Sequence, residues 1–163
     1  MTHRPLNAKT DWYFFVPDYS VPADCLPGLH PLTEESARQL WDEFISPAAR
    51  HPMRLPDDTW PARLCSSVAS TYWQDDWNNN SATTFHDWLC TMLPWSQDTP
   101  VIFTWSSAQS VATSWQVFLR CWRNFLFDDE GPFLWSLQQT QAVGFTPRGL
   151  AYAGQRCSQT TAS

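Results

Sequence analysis

Lysine occurs once in this 163-residue chain, at Lys9, and glycine only five times. The first scarcity argues against nucleic acid as a partner. Affinity for a phosphate backbone rests on neutralising it with Lys and Arg, and here 16 acids outnumber 10 bases, for a net charge of −6. It also argues against an anionic membrane surface, which needs a polybasic patch. With so few glycines there is little scope for a backbone phosphate cradle. Neither G-x-G-x-x-G nor G-x-x-x-x-G-K-[ST] occurs, and the G-x-S-x-G elbow of serine hydrolases is missing too. No cofactor is expected. No stretch approaches the ~20 apolar residues of a membrane span. The run "WYFFV", which follows the polar Met1–Thr10, is too short for a signal-peptide core. The cysteines number five, an odd count, and form no C-x-x-C pair, as expected of reduced, structural thiols. These features together predict a cytoplasmic protein.

What is abundant is tryptophan, with 11 residues in a chain that is 43% hydrophobic. Each large aromatic can bury about 150–250 Å², so a core can form without disulfides or metal. The length suits one domain, expected over residues 1–156, with a small polar tail at 157–163 that should fray.

The pattern along the chain mixes helices and strands. Nine of the 13 prolines fall within the first 61 residues, which should be loop-rich. "DWYFFV" reads as a strand ended by Pro17. A helix follows Pro31, capped by Thr33, with Ala37, Leu40, Trp41, Phe44 and Ile45 on one stripe. A short helix can begin at Trp60-Pro61, and "YWQDDWNNN" reads as turn or loop. A second amphipathic helix runs from a cap at Ser81 to Pro94, followed by a strand at "PVIFTW" and a return at "SVATSW". The strongest helix is capped by Ser114 and carries Trp115, Phe118, Leu119, Trp122, Phe125 and Leu126 on one face, with Gln116, Arg120, Arg123 and Asn124 on the other. Short strands at "FLWSL", "TQAVGFT" and "LAYAGQ" close the chain. They lie too near one another for crossover helices. The expected fold is therefore α+β: an antiparallel sheet of about four to six strands, with about three helices packed on one face.

Candidate chemistry is sparse. His86 and Cys90 stand four apart on one helix, but no second pair offers the further ligands that zinc needs, so no metal is expected. A cysteine nucleophile would require Cys65, Cys90 or Cys121 within reach of His30, His51 or His86. Paired carboxylates could come from Asp75, Asp76, Asp128 and Asp129. The strongest feature is acidic and aromatic. "WQDDWNNN" and "FLFDDEG" both set acids beside large aromatics. Such residues form ordinary turns at the edge of a core. They also suit a surface on which carboxylates steer a basic partner and an aromatic anchors it. Asp128, Asp129 and Glu130 are the candidate steering charges, Asp75 and Asp76 a second patch, and Trp73 and Trp77 the candidate anchors.

Residues 26 to 46, "LPGLHPLTEESARQLWDEFIS", and 113 to 134, "TSWQVFLRCWRNFLFDDEGPFL", together resemble a small bacterial family known only as a domain of unknown function. The pattern W-x-x-F-x-x-x-W-x-x-F-L-F-x-D-[DE]-G, from Trp115 to Gly131, carries most of the likeness. The middle, Pro47 to Asn80, departs from it. The helix followed by an acidic turn is also similar to several bacterial toxin-immunity proteins. That likeness implies a small, acidic, cytoplasmic α+β protein that plugs a toxin's active site without chemistry of its own. The expectation is thus a non-catalytic protein that binds a basic toxin domain. The alternatives are a small-ligand or carbohydrate binder using Trp faces, and a Cys/His or carboxylate enzyme.

Overall fold

The computed structural model describes residues 1–64 and 69–156. Among these, seven strands form a single antiparallel sheet, more than the four to six expected: β1 (His30–Pro31), β2 (Ser70–Tyr72), β3 (Pro100–Ser106), β4 (Gln109–Ser114), β5 (Phe133–Trp135), β6 (Gln141–Phe145) and β7 (Leu150–Gln155), in the order β1-β4-β3-β5-β6-β7-β2. The extra strands are the outermost, β1 and β2, of two and three residues. They are too short to show an alternation in sequence, and their shortness blunts the sheet's exposed edges.

Five α-helices accompany the sheet among the described residues: α1 (Glu34–Phe44), α2 (Trp60–Leu64), α3 (Gln74–Trp77), α4 (Thr84–Met92) and α5 (Trp115–Phe125). They cover both faces rather than one. Along β3, Val101, Phe103 and Trp105 point into a core shared with α4 and α5, while Ile102 points into a second core shared with α1 and α2. β5 and β6 divide likewise: Leu134, Val143 and Phe145 face the first core, and Phe133, Trp135 and Ala142 the second. The unbroken apolar run "VIF" reflects this, because a strand buried on both faces has no polar alternation to show.

The helix starts follow local chemistry. The Thr33 hydroxyl accepts from Ser36 N at 3.3 Å and that of Ser114 from Val117 N at 3.3 Å, each satisfying an amide of the first turn. α4 differs from expectation. It begins after Thr83, which makes no side-chain cap, and its first-turn amide at Phe85 donates instead to the Asp76 carboxylate at 2.7 Å.

Two further expectations are corrected. "DWYFFV" is no strand. Trp12–Phe14 forms a 3-10 turn, fixed by Asp11, which is fully buried and accepts both guanidinium nitrogens of Arg4 (2.8 and 2.7 Å) and Asn7 N (2.9 Å). This turn buries Tyr13 and Phe14 and leaves Trp12 outside. Asn124, expected on the solvent face of α5, is 4% exposed. Its amide donates to the carbonyls of Tyr13 and Tyr19, each at 2.7 Å, and so ties the N-terminal loop to the helix. The tail from Cys157, and with it Cys65, lies outside the described residues. Asn124→Ala should leave both carbonyls without their donor. The expected cost is about 1–3 kcal/mol for each carbonyl that stays unsatisfied, read as a lower urea midpoint with an unchanged m-value.

Candidate functional site

α5 ends at Phe125, and the chain turns at once through Asp128-Asp129-Glu130. Asp128 begins the turn by accepting Glu130 N at 3.4 Å, Gly131 N donates to Asp129 O at 2.7 Å, and Gly131 takes a φ of +81°. That left-handed conformation favours glycine. A Cβ at Gly131 would also lie 3.1 Å from Pro52 Cβ.

The carboxylates remain free of the chain's arginines. Among the described residues, Asp128 and Asp129 form no ion pair, and Glu130 meets only His51, with Oε2 3.8 Å from Nε2. His51 Nδ1 accepts from Met53 N at 3.2 Å, so a neutral ring carries its proton on the nitrogen facing Glu130. Burial pushes the Asp129 carboxyl above the ordinary aspartate range, and the neighbouring Asp128 and Glu130 add to the effect.

Beside these acids lies an aromatic ledge centred on Phe127. Its ring meets those of Trp77, Trp12 and Tyr19 at 5.1, 5.5 and 5.7 Å. Trp12 is 50% exposed and closes the ledge on the solvent side. Sequence reasoning missed Trp12 and Tyr19. Nothing local marks them, because only the long-range Arg4–Asp11 pair and the Asn124 bonds bring their loop to α5.

The second acidic segment is divided. Trp77 joins the ledge, stacked on Tyr19 at 4.8 Å with its indole N–H donated to Arg123 O at 3.0 Å. Asp75 is exposed on α3. Trp73 and Asp76 are corrected. Trp73 is 3% exposed and belongs to the core, so it offers no face to a partner. Asp76 is 7% exposed and caps α4, while its backbone carbonyl accepts from the Arg123 guanidinium at 2.7 Å. With Trp73 inside and Trp77 stacked on Tyr19, neither tryptophan of "YWQDDWNNN" offers an open face, and the aromatic it exposes is Tyr72.

Among the described residues, no hydrogen bond joins Cys90 or Cys121 to a histidine, and Cys65 lies outside them. Cys121 is buried, its thiol donates to Val117 O at 2.9 Å, and desolvation pushes it up to about 12. The half-buried Cys90 thiol is likewise raised by burial. Such thiols are poor nucleophiles. His30 stacks on His3 at 5.3 Å, and His86 Nδ1 lies 3.2 Å from Asp87. Among the described residues, no three His, Cys, Asp or Glu side chains are grouped to hold a metal. No described helix is long and apolar enough to cross a membrane.

A family model described as protein of unknown function (DUF2947) matches residues 5–154. The chain belongs to this family. The match runs through Pro47–Asn80, so the central segment that looked divergent in sequence is part of the family's extent. No curated protein and no solved structure shows a significant match. The family description names no activity, and no likeness to toxin-immunity proteins emerges from these comparisons.

The structural assignment of Asp76 is testable. Asp76→Ala should cost about 1–3 kcal/mol, the price of an unsatisfied buried amide, with faster hydrogen exchange across the first turn of α4. An unchanged urea midpoint would contradict it.

Proposed function

We propose that this protein is a non-catalytic binding protein that docks a basic protein partner on the face formed by Asp128, Asp129, Glu130 and the Phe127 ledge. In its specific form the proposal is a cytoplasmic immunity protein that occludes a basic bacterial toxin domain. One observation carries the reading. Among the described residues, three consecutive acids, Asp128 and Glu130 exposed and Asp129 half-buried, follow the Phe127 ring that meets a half-exposed Trp12, and none is paired with an arginine. Clustered carboxylates raise the rate of encounter with a cationic surface, and a flanking aromatic supplies the desolvated contact that slows release. Trp12 replaces Trp73 as the anchor in this reading. Trp77 supports the ledge from beneath. Asp75 lies at the margin, and Asp76 is occupied by α4.

The experiment is co-expression with a basic toxin domain encoded by a neighbouring reading frame, followed by stopped-flow association of the purified pair. The wild-type chain should protect the host and associate at a rate that falls steeply with ionic strength. Asp128→Lys/Asp129→Lys should slow association at low salt by at least about tenfold and flatten the salt dependence. Unchanged affinity and salt slope would reduce these residues to a turn.

Asp129 gives a second test. Its carboxyl is raised by burial, so ionisation is less favourable in the folded chain than in the unfolded one. That penalty is present above the folded pKa and vanishes as the pH falls below the ordinary aspartate range. Asp129→Asn should therefore raise the urea midpoint at pH 7, leave it unchanged in strong acid, and weaken partner binding. Stabilisation without weaker binding would remove Asp129 from the interface.

A further inference from the structure

On the other side of Gly131 lies a feature of opposite character. The Pro52–Arg54 turn, α2 and the β6–β7 hairpin enclose an apolar cavity of about 410 Å³, lined among others by Leu55, Pro61, Phe133, Leu150 and Tyr152. It adjoins an open recess of about 720 Å³ bordered by Arg50, His51, Arg54 and Glu130. Met53 and Pro147 line both, so the two spaces lie side by side along one trough-like stretch of surface. The apolar part alone falls within the roughly 300–1,000 Å³ of small-molecule sites.

Three observations indicate what the trough suits. The first is how the cations are used. Arg4, Arg38, Arg50 and Arg120 are paired with Asp11, Glu34, Asp42 and Asp24. Arg123 and Arg156 donate to backbone carbonyls. Among the described residues this leaves Lys9, Arg54, Arg63 and Arg148 without a side-chain partner, and two of those four, Arg54 and Arg148, line the trough. The second is where these two sit. Each is the immediate chain neighbour of a residue shared by the two spaces, Arg54 of Met53 on the side of the open recess and Arg148 of Pro147 on the side of the apolar cavity. Glu130 borders the open recess alone, near His51.

The third is Gly144, which lines the apolar part from within β6. A glycine weakens a strand interior. Neither its backbone nor its neighbours demand one here: its φ is not positive, and an added Cβ would meet Leu64 at an ordinary 3.5 Å. The missing side chain keeps the cavity floor open.

We infer that this trough binds a small amphipathic anion, its apolar body seated over Gly144 between Leu55, Pro61 and Leu150, and its carboxylate held at the mouth by Arg54 and Arg148. The site shares only Glu130 with the acidic face, on the border of the open recess, and does not depend on that face binding a partner.

The probe is decanoate, titrated into the full chain below its micelle concentration by calorimetry and by amide chemical shifts, with decanol and decyltrimethylammonium for comparison. Decanoate should bind saturably with submillimolar affinity, as about 1 mM already marks weak binding. It should shift the amides of Gly144 and Gly131, and bind at least about tenfold more tightly than either comparison compound. Arg54→Glu/Arg148→Glu changes exposed side chains only and should abolish the preference for decanoate while decanol binding persists. Ala62→Phe, on the wall formed by α2, should weaken decanoate and decanol alike. Absence of saturable decanoate binding overturns the site. Equal binding of the three compounds, or shifts confined to the Trp12–Phe127 ledge, overturns the assigned chemistry or the location.

Discussion

A buried indole usually finds an acceptor for its N–H, and although Trp73 is left without one, this preference organises much of the molecule. In several places the acceptor is a backbone carbonyl at an element's end or in a loop. Trp41 donates to Ala49 O at 2.7 Å and Trp60 to Phe44 O at 2.8 Å, which fixes the path after α1 and the approach of α2. At the other end of the fold, Trp105 donates to Phe125 O at 3.1 Å and Trp77 to Arg123 O at 3.0 Å. Both acceptors belong to the last turn of α5, where carbonyls run short of partners within the helix; the Arg123 carbonyl also accepts from Leu126 N at 3.2 Å. The two indoles therefore satisfy the end of α5 and hold in place the acidic turn that follows. A core built from aliphatic residues alone would supply neither donor to the end of α5.

Charge is arranged around the same point. The chain is acidic overall, yet Gly131 stands between a negative, aromatic surface and a trough that holds two unpaired arginines, Arg54 and Arg148, with Glu130 on its border. The division is narrow because the glycine lets the turn pass close against Pro52 and Met53; a Cβ there would sit 3.1 Å from the proline ring. The turn is thus a shared wall. Any partner seated on the Phe127 ledge and any small anion held in the trough would bear on its two sides.

How much of this could be read from sequence depended on the range over which the determining contacts act. α1, α5 and the β3–β4 hairpin were legible because capping residues and periodicity lie within a few positions of one another. The acidic turn was legible for the same reason. α3 escaped because one helical turn shows no period. The start of α4 was misplaced because its cap, Asp76, is nine residues away. Trp12 was hidden within an apolar run that resembles a strand, and only the Arg4–Asp11 pair turns it outward. The two-sided sheet was signalled by the uninterrupted "VIF" in β3, yet an apolar run alone does not say what covers each face. The trough is assembled from three distant segments and left no mark beyond an unexplained central stretch.

The remaining issue is whether Asp128–Glu130 is more than a turn, and the geometry separates the two requirements. The turn itself needs Asp128, whose side chain accepts the Glu130 amide, and Gly131, whose backbone is left-handed. It uses Asp129 only through its backbone carbonyl, and it uses no atom of the Glu130 side chain. Yet the Asp129 carboxyl is half-buried among like charges, in surroundings that oppose its ionisation. An asparagine would close the same turn without that penalty. The charge at 129 is therefore not required by the turn, and that at 130 meets only His51 among the described residues; both follow Phe127, whose ring meets the half-exposed Trp12.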